Sequence, residues 1–154
     1  MRVILPGSYD PVQLGHVDII RRAAEIYGEV FVVAFINPDK SYTFTPEARV
    51  SMLRLATEKL PNVRVDFSTG RVVDYMRENG IEKIIKGYRN AEDLEYEKKQ
   101  AEYNRENGGY ETELWPSGAG FESVSSTEAR ERIKRGDDLS DILPEKVISF
   151  INNH

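Results

Sequence analysis

The sequence predicts a doubly wound α/β fold, and three observations carry that expectation. Short apolar or β-branched runs alternate with longer segments whose apolar residues recur at helical spacing. Residues 30–36 are almost unbroken apolar, as in a strand covered on both faces. Glycine and proline punctuate most junctions, so five strand–helix units follow one another and imply a parallel five-stranded sheet with helices on both faces.

Residues 2–5 read as the first strand, stopped by Pro6-Gly7. Ile20, Ala23, Ala24 and Tyr27 mark a helix over about 16–27, with Gly28 as its terminator. After the strand at 30–36, Thr45-Pro46 form an N-cap and first-turn pair. Val50, Leu53, Thr57 and Leu60 then give the inner face of a second helix. Residues 62–67 are the third strand and 72–79 the third helix, closed by Gly80. Residues 83–86 are a fourth strand ended by Gly87, and 91–107 a long charged helix. Residues 112–115 are the fifth strand. A Gly/Ser-rich loop leads to Ser125-Ser126-Thr127-Glu128, which has capping-box spacing for a helix to about 135. Residues 144–151 form the last helix. The result is Rossmann-like, a single domain over residues 1–154, with ligands expected beyond the carboxyl ends of the strands.

Composition narrows the function. The chain has 154 residues and a formal charge of −5, without the basic excess of a general nucleic-acid binder. It has no cysteine, which excludes disulfides, thiolate catalysis and Cys-ligated metals, and only two histidines, which argues against a His-rich metal site. No apolar run approaches the roughly 20 residues needed to cross a bilayer, and the first ten residues lack a secretory apolar core. A cytoplasmic protein is the expectation.

Three segments fall where ligands bind in such folds. The first is Pro6 to His16, with Ser8, Asp10-Pro11 and Gly15-His16. Gly7 and Gly15 let backbone approach a ligand, and His16 stands beside the free N–H groups of a helix start, where an anion binds well. The second is Lys86-Gly87-Tyr88-Arg89, two cations at a strand end, followed by Asp93-Leu94-Glu95-Tyr96-Glu97 on an acidic helix start. The third is Val124 with Ser125, Ser126 and Thr127, three hydroxyls at a helix start. Taken singly, the first reads equally well as a turn, and the other two read better as helix-dipole partners and a cap; together, in this order, they are specific.

Ser8-x-Asp10-Pro11-x-x-x-Gly15-His16 resembles the signature of the nucleotidyltransferase superfamily. With Lys86-Gly87-x-Arg89, the Asp93–Glu97 stretch and Val124-Ser125-Ser126-Thr127, nearly the whole chain is similar to the bacterial phosphopantetheine adenylyltransferase family. That resemblance implies adenylyl transfer from ATP to 4′-phosphopantetheine, with Mg²⁺ bridging ATP phosphates rather than held by protein ligands, and a hexameric assembly. It implies that His16 donates to the α-phosphate, that Ser8 orients the acceptor phosphate, that Lys40 is the catalytic lysine after the second strand, and that Arg89 meets the ATP phosphates. ATP would also touch Gly7, Tyr9, Gly87, Glu97, Val124, Ser125, Ser126 and Thr127. The acceptor would meet Ser8, Lys40, Val72, Lys86 and Asn104. The chain departs from the pattern at Leu94, usually Phe, and at Lys86, often Arg. Residues 98–103, Glu111, Glu113 and the 118–120 loop are also more polar than is usual.

Overall fold

The computed structural model describes residues 1–154. In chain order the elements are β1 (Arg2–Gly7), α1 (Leu14–Ile26), β2 (Glu29–Phe35), α2 (Pro46–Thr57), β3 (Val63–Ser68), α3 (Val72–Asn79), β4 (Lys83–Tyr88), α4 (Ala91–Gly108), β5 (Glu111–Pro116), α5 (Ser126–Arg135) and α6 (Glu145–Asn153). The strands form one sheet, ordered β3-β2-β1-β4-β5 with every pairing parallel. The expected fold class is therefore correct.

Alternation along each strand divides the core. Val3 and Leu5 of β1, with Val30, Val32 and Ala34 of β2, pack under Ile20 and Ala23 of α1, Met52 and Leu53 of α2, Ala129 of α5 and Val147 of α6. On the other face Ile4, Phe31, Val33 and Ile84 pack against Tyr75 and Met76 of α3. The β1–β4 seam differs from the rest. Its register covers only Val3↔Lys83 and Ile4↔Ile84, whereas each other interface runs through six residue pairs. Beyond Ile4 the two strands diverge, and Pro6 lacks an N–H for the ladder. The gap opens where strand order reverses, at the carboxyl ends, where open α/β sheets bind ligands.

Some boundaries depart from expectation. The first helix begins at Leu14, and Tyr27 leaves it in an extended conformation (φ −108°), so Gly28 is not its terminator. α2 stops at Thr57, whose hydroxyl donates to the Leu53 carbonyl at 2.8 Å. Leu60 lies beyond the helix because Pro61 disfavours helical backbone in the residue before it. Ser125 does cap α5, accepting from the Glu128 N–H at 3.1 Å. The Glu128 carboxylate, however, pairs with Arg132 (3.2 Å) rather than closing a reciprocal box.

Candidate active site

The loop between β1 and α1 is pinned from below at three carbonyls. Arg49 of α2 donates to Ser8 O (3.0 Å), Arg130 of α5 to Asp10 O (2.9 Å) and the Ser126 hydroxyl to Pro11 O (2.8 Å). The buried Asp10 carboxylate reaches the other way, accepting from the Thr43 and Phe44 N–H groups at 2.8 and 2.9 Å. One side chain thus fastens the β2–α2 loop, which carries Lys40, to the loop that carries Ser8. Asp10→Asn should lower stability by about 1–3 kcal/mol, because the new NH₂, buried at this position, cannot accept from one of those two donors. The shift in urea midpoint measures this, and an unchanged midpoint would remove Asp10 as the fastener.

Tyr9 adopts left-handed backbone (φ 49°) and is buried. Its hydroxyl donates to Leu5 O at 2.8 Å, and its ring meets the His16 ring edge-on with centroids 4.7 Å apart. Gly7 makes room for that ring: a Cβ there would stand 3.2 Å from it.

The start of α1 is not an open anion site. Gln13 caps it, its side-chain oxygen accepting from the Gly15 N–H and from the His16 N–H at 3.1 Å. Leu14 N–H donates to Ile142 O (2.9 Å) and Val17 N–H to Gln13 O (3.1 Å), so the first-turn amides are all occupied by protein. A Cβ at Gly15 would sit 2.8 Å from the Gln13 oxygen, so this glycine accommodates the cap, and it also lines the smaller cavity. What α1 offers the cleft is His16 itself. Its Nδ1 accepts from the Gln13 N–H at 3.1 Å, which leaves the proton on Nε2. Burial, then the Lys86 and Arg89 charges, push the imidazole down to about 3, so it stays neutral at physiological pH and can donate through Nε2–H.

Two cavities flank this centre. The first, about 240 Å³, is lined by Gly7, Ser8, Tyr9, His16, Gly87, Arg89, Asp93, Glu97, Val124 and Ser126, among others. The second, about 690 Å³, is lined by Lys40, Val72, Lys86, Asn104 and, again, Ser8 and Glu97. Pro6, Gly7, Ser8, Lys86 and Glu97 belong to both walls, so the cavities meet at the divergent β1–β4 seam. Lys86 bridges that seam, donating to Pro6 O at 3.1 Å and pairing with the buried Glu97 at 3.2 Å. Arg89 pairs with Asp93 at 3.1 Å. Tyr96, Gln100, Tyr103 and Asn104 line the larger cavity from one face of α4, while Lys98, Lys99 and Glu102 do not. Of the polar departures in residues 98–103, only Gln100 and Tyr103 therefore bear on a ligand.

Most of the residues expected from sequence converge here. Ser125 and Thr127 do not line the smaller cavity: the Ser125 oxygen caps α5, and Thr127 Oγ1 accepts from Arg130 at 3.1 Å. Sequence reading missed Gln13, Arg49 and Arg130 as parts of the site, and gave Asp10 and Asp93 as motif residues without their partners. Gln is not a favoured N-cap residue, and Arg49 sits in a helix whose spacing marks only a core face, so neither carries a local signal.

Residues 4–132 match the cytidylyltransferase-like family. The chain is 42% identical over 151 residues to a Corynebacterium diphtheriae protein named phosphopantetheine adenylyltransferase, covering 97% of this chain and 95% of that one. In fold it superposes with a TM-score of 0.70 on a crystal structure from Vibrio parahaemolyticus, a candidate nicotinate-nucleotide adenylyltransferase. That match has 15% identity and covers 99% of this chain and 92% of the other.

Proposed function

Since the chain belongs to the cytidylyltransferase-like family of nucleotidyltransferases, we propose that it transfers the adenylyl group of ATP to 4′-phosphopantetheine, giving dephospho-coenzyme A and pyrophosphate. One structural observation carries the reading: two cavities of unequal size share a wall at Ser8 and Lys86, with His16 beside it. Two bound molecules can meet only there. The 42% identical relative, named for the same reaction, supports the choice of acceptor.

An acceptor phosphate oxygen attacks the α-phosphorus in line. The new P–O–P bond forms as the bond to the β-phosphate oxygen breaks, and pyrophosphate leaves with the electron pair. The nucleophile is already an anion, so no general base is required. What the protein must do is bring two polyanions together. His16 Nε2–H donates to the α-phosphate as charge builds there. Lys86 neutralises the acceptor phosphate at the seam, Arg89 serves the triphosphate, and Ser8 orients the attacking group. Lys40 comes over from the β2–α2 loop. Val72 and Asn104 flank the acceptor arm in the larger cavity. Asp10, Asp93 and Glu97 are each already committed within the protein, and no trio of His, Asp or Glu converges into a metal cage. The residues therefore do not fit a protein-held ion. Mg²⁺ brought in with ATP would supply neutralisation of phosphate charge, as the family resemblance implies.

No helix is long and apolar enough to cross a membrane. We extend the proposal to a cytoplasmic enzyme assembled as a hexamer, for which the support is the family resemblance. Sedimentation should then give about six times the 17.6 kDa chain mass.

Pyrophosphate release with ATP, Mg²⁺ and 4′-phosphopantetheine tests the reaction. Turnover with this pair, and at least tenfold less with CTP or with other phosphate-bearing acceptors, is the expected result. Faster turnover with another acceptor would reassign the substrate through Gln100 and Tyr103.

A further inference from the structure

Arg49 has no role in the reaction described so far, yet its setting is unusual. It is fully buried on α2. The only hydrogen bond of its guanidinium runs from Nη1 to Ser8 O, and its Nε and Nη2 have no partner. No carboxylate pairs with it. The guanidinium carbon lies over the Tyr42 ring, 4.0 Å from its centroid, and Lys40 Nζ approaches the same ring at 5.7 Å. The Tyr42 hydroxyl accepts from the Asn37 N–H at 2.9 Å, at the start of the loop that carries Lys40. One side chain therefore touches both loops that bracket the acceptor phosphate.

The direction of its hydrogen bond matters. The Ser8–Tyr9 peptide is trans, since the only cis bond is Asp10–Pro11. In a trans peptide the C=O and the following N–H point opposite ways. With Ser8 O held toward Arg49, the Tyr9 N–H points the opposite way, and Ser8 and Tyr9 both line the smaller cavity. A buried cation without a counter-ion is unfavourable in the empty protein. Beneath a site that receives phosphates, the missing negative charge arrives with the substrate.

On the basis of the adenylyl transfer proposed above, we infer that Arg49 is a positioning residue. It aims the Tyr9 N–H and the Ser8 hydroxyl at the phosphates and, through Tyr42, sets the Lys40 loop relative to them.

The test compares Arg49→Met, Arg49→Lys and Leu53→Ala, the last a fully buried α2 neighbour outside the site. Pyrophosphate release is assayed well below each melting temperature. Arg49→Met should lose at least tenfold in kcat with both KM values within about threefold. Arg49→Lys, which keeps a cationic donor, should recover at least half of that loss on a logarithmic scale. Leu53→Ala should keep kcat within threefold however far its Tm falls. Arg49→Met within threefold of the parent, Arg49→Lys no better than Arg49→Met, or Leu53→Ala losing as much would each overturn the inference. Should Arg49→Met not fold, a three- to tenfold fall in Arg49→Lys supports it and a parental kcat overturns it. A parent that releases no pyrophosphate refutes the reaction instead. The positioning role, which rests on that reaction, then falls with it.

Discussion

His16→Ala should lower kcat by about 10²–10³-fold, the usual cost of removing one preorganised donor to a developing oxyanion, while the KM for ATP changes less than about tenfold. The split follows from timing: Nε2–H matters most as charge accumulates on the α-phosphate, and little in the ground state. Steady-state pyrophosphate release at saturating acceptor measures it, and equal losses in kcat and ATP affinity would deny the role. A second signature lies in pH. With the imidazole held down to about 3 by burial and by Lys86 and Arg89, no acid limb near the ordinary value of 6.5 should come from His16. The sign for stability follows. Between those two values the unfolded chain binds a proton that the folded chain refuses, so stability rises with pH there. His16 thus opposes unfolding least at the acid end, and its contribution is lost as pH falls from about 6.5 toward 3. His16→Asn should flatten that slope in denaturation measured across the window.

The order of elements and the place of the cleft were legible because strand and helix periods are strong and Gly and Pro mark the turns. The chemistry was legible as residue types: Ser8, His16, Lys40, Lys86 and Arg89 line one or both of two adjoining cavities. That Gly15 also makes room for a cap was not legible. Its use depends on where Gln13 folds, a side-chain choice with no periodic signature. The same holds for the α1 amides, which looked free until Gln13 and Ile142 O were placed on them. Arg49, and the fastening role of Asp10, stayed hidden for another reason. Their partners, Ser8 O and the Thr43 and Phe44 N–H groups, lie 33 to 41 residues away in sequence and are backbone atoms, which leave no trace in residue identity.

Lys86 and Glu97 allow the sharpest separation of charge from fold. Lys86→Met removes the cation at the shared wall and leaves Glu97, a carboxylate, facing the arriving phosphate. Repulsion then replaces attraction, and kcat/KM for the acceptor should fall by about 10³-fold, as loss of a contact and a like charge act together. Stability should fall by about 2 kcal/mol. That is less than the ~3–5 kcal/mol of breaking a fully buried pair, because the Lys86 side chain is 27% exposed against 11% for Glu97. Adding Glu97→Gln should return most of the stability, since no unpaired charge remains, but should recover at most about tenfold of the activity, the part owed to repulsion. Urea denaturation and pyrophosphate release on the two single variants and the double variant complete the cycle. If the double variant regained full turnover, Lys86 would serve only to neutralise Glu97, and the acceptor phosphate would rest on Lys40 and Ser8. If Glu97→Gln alone kept parental turnover, the carboxylate would be a holder of Lys86 rather than a contact to the nucleotide. The 3.2 Å pairing and its place between the two cavities favour that holding role.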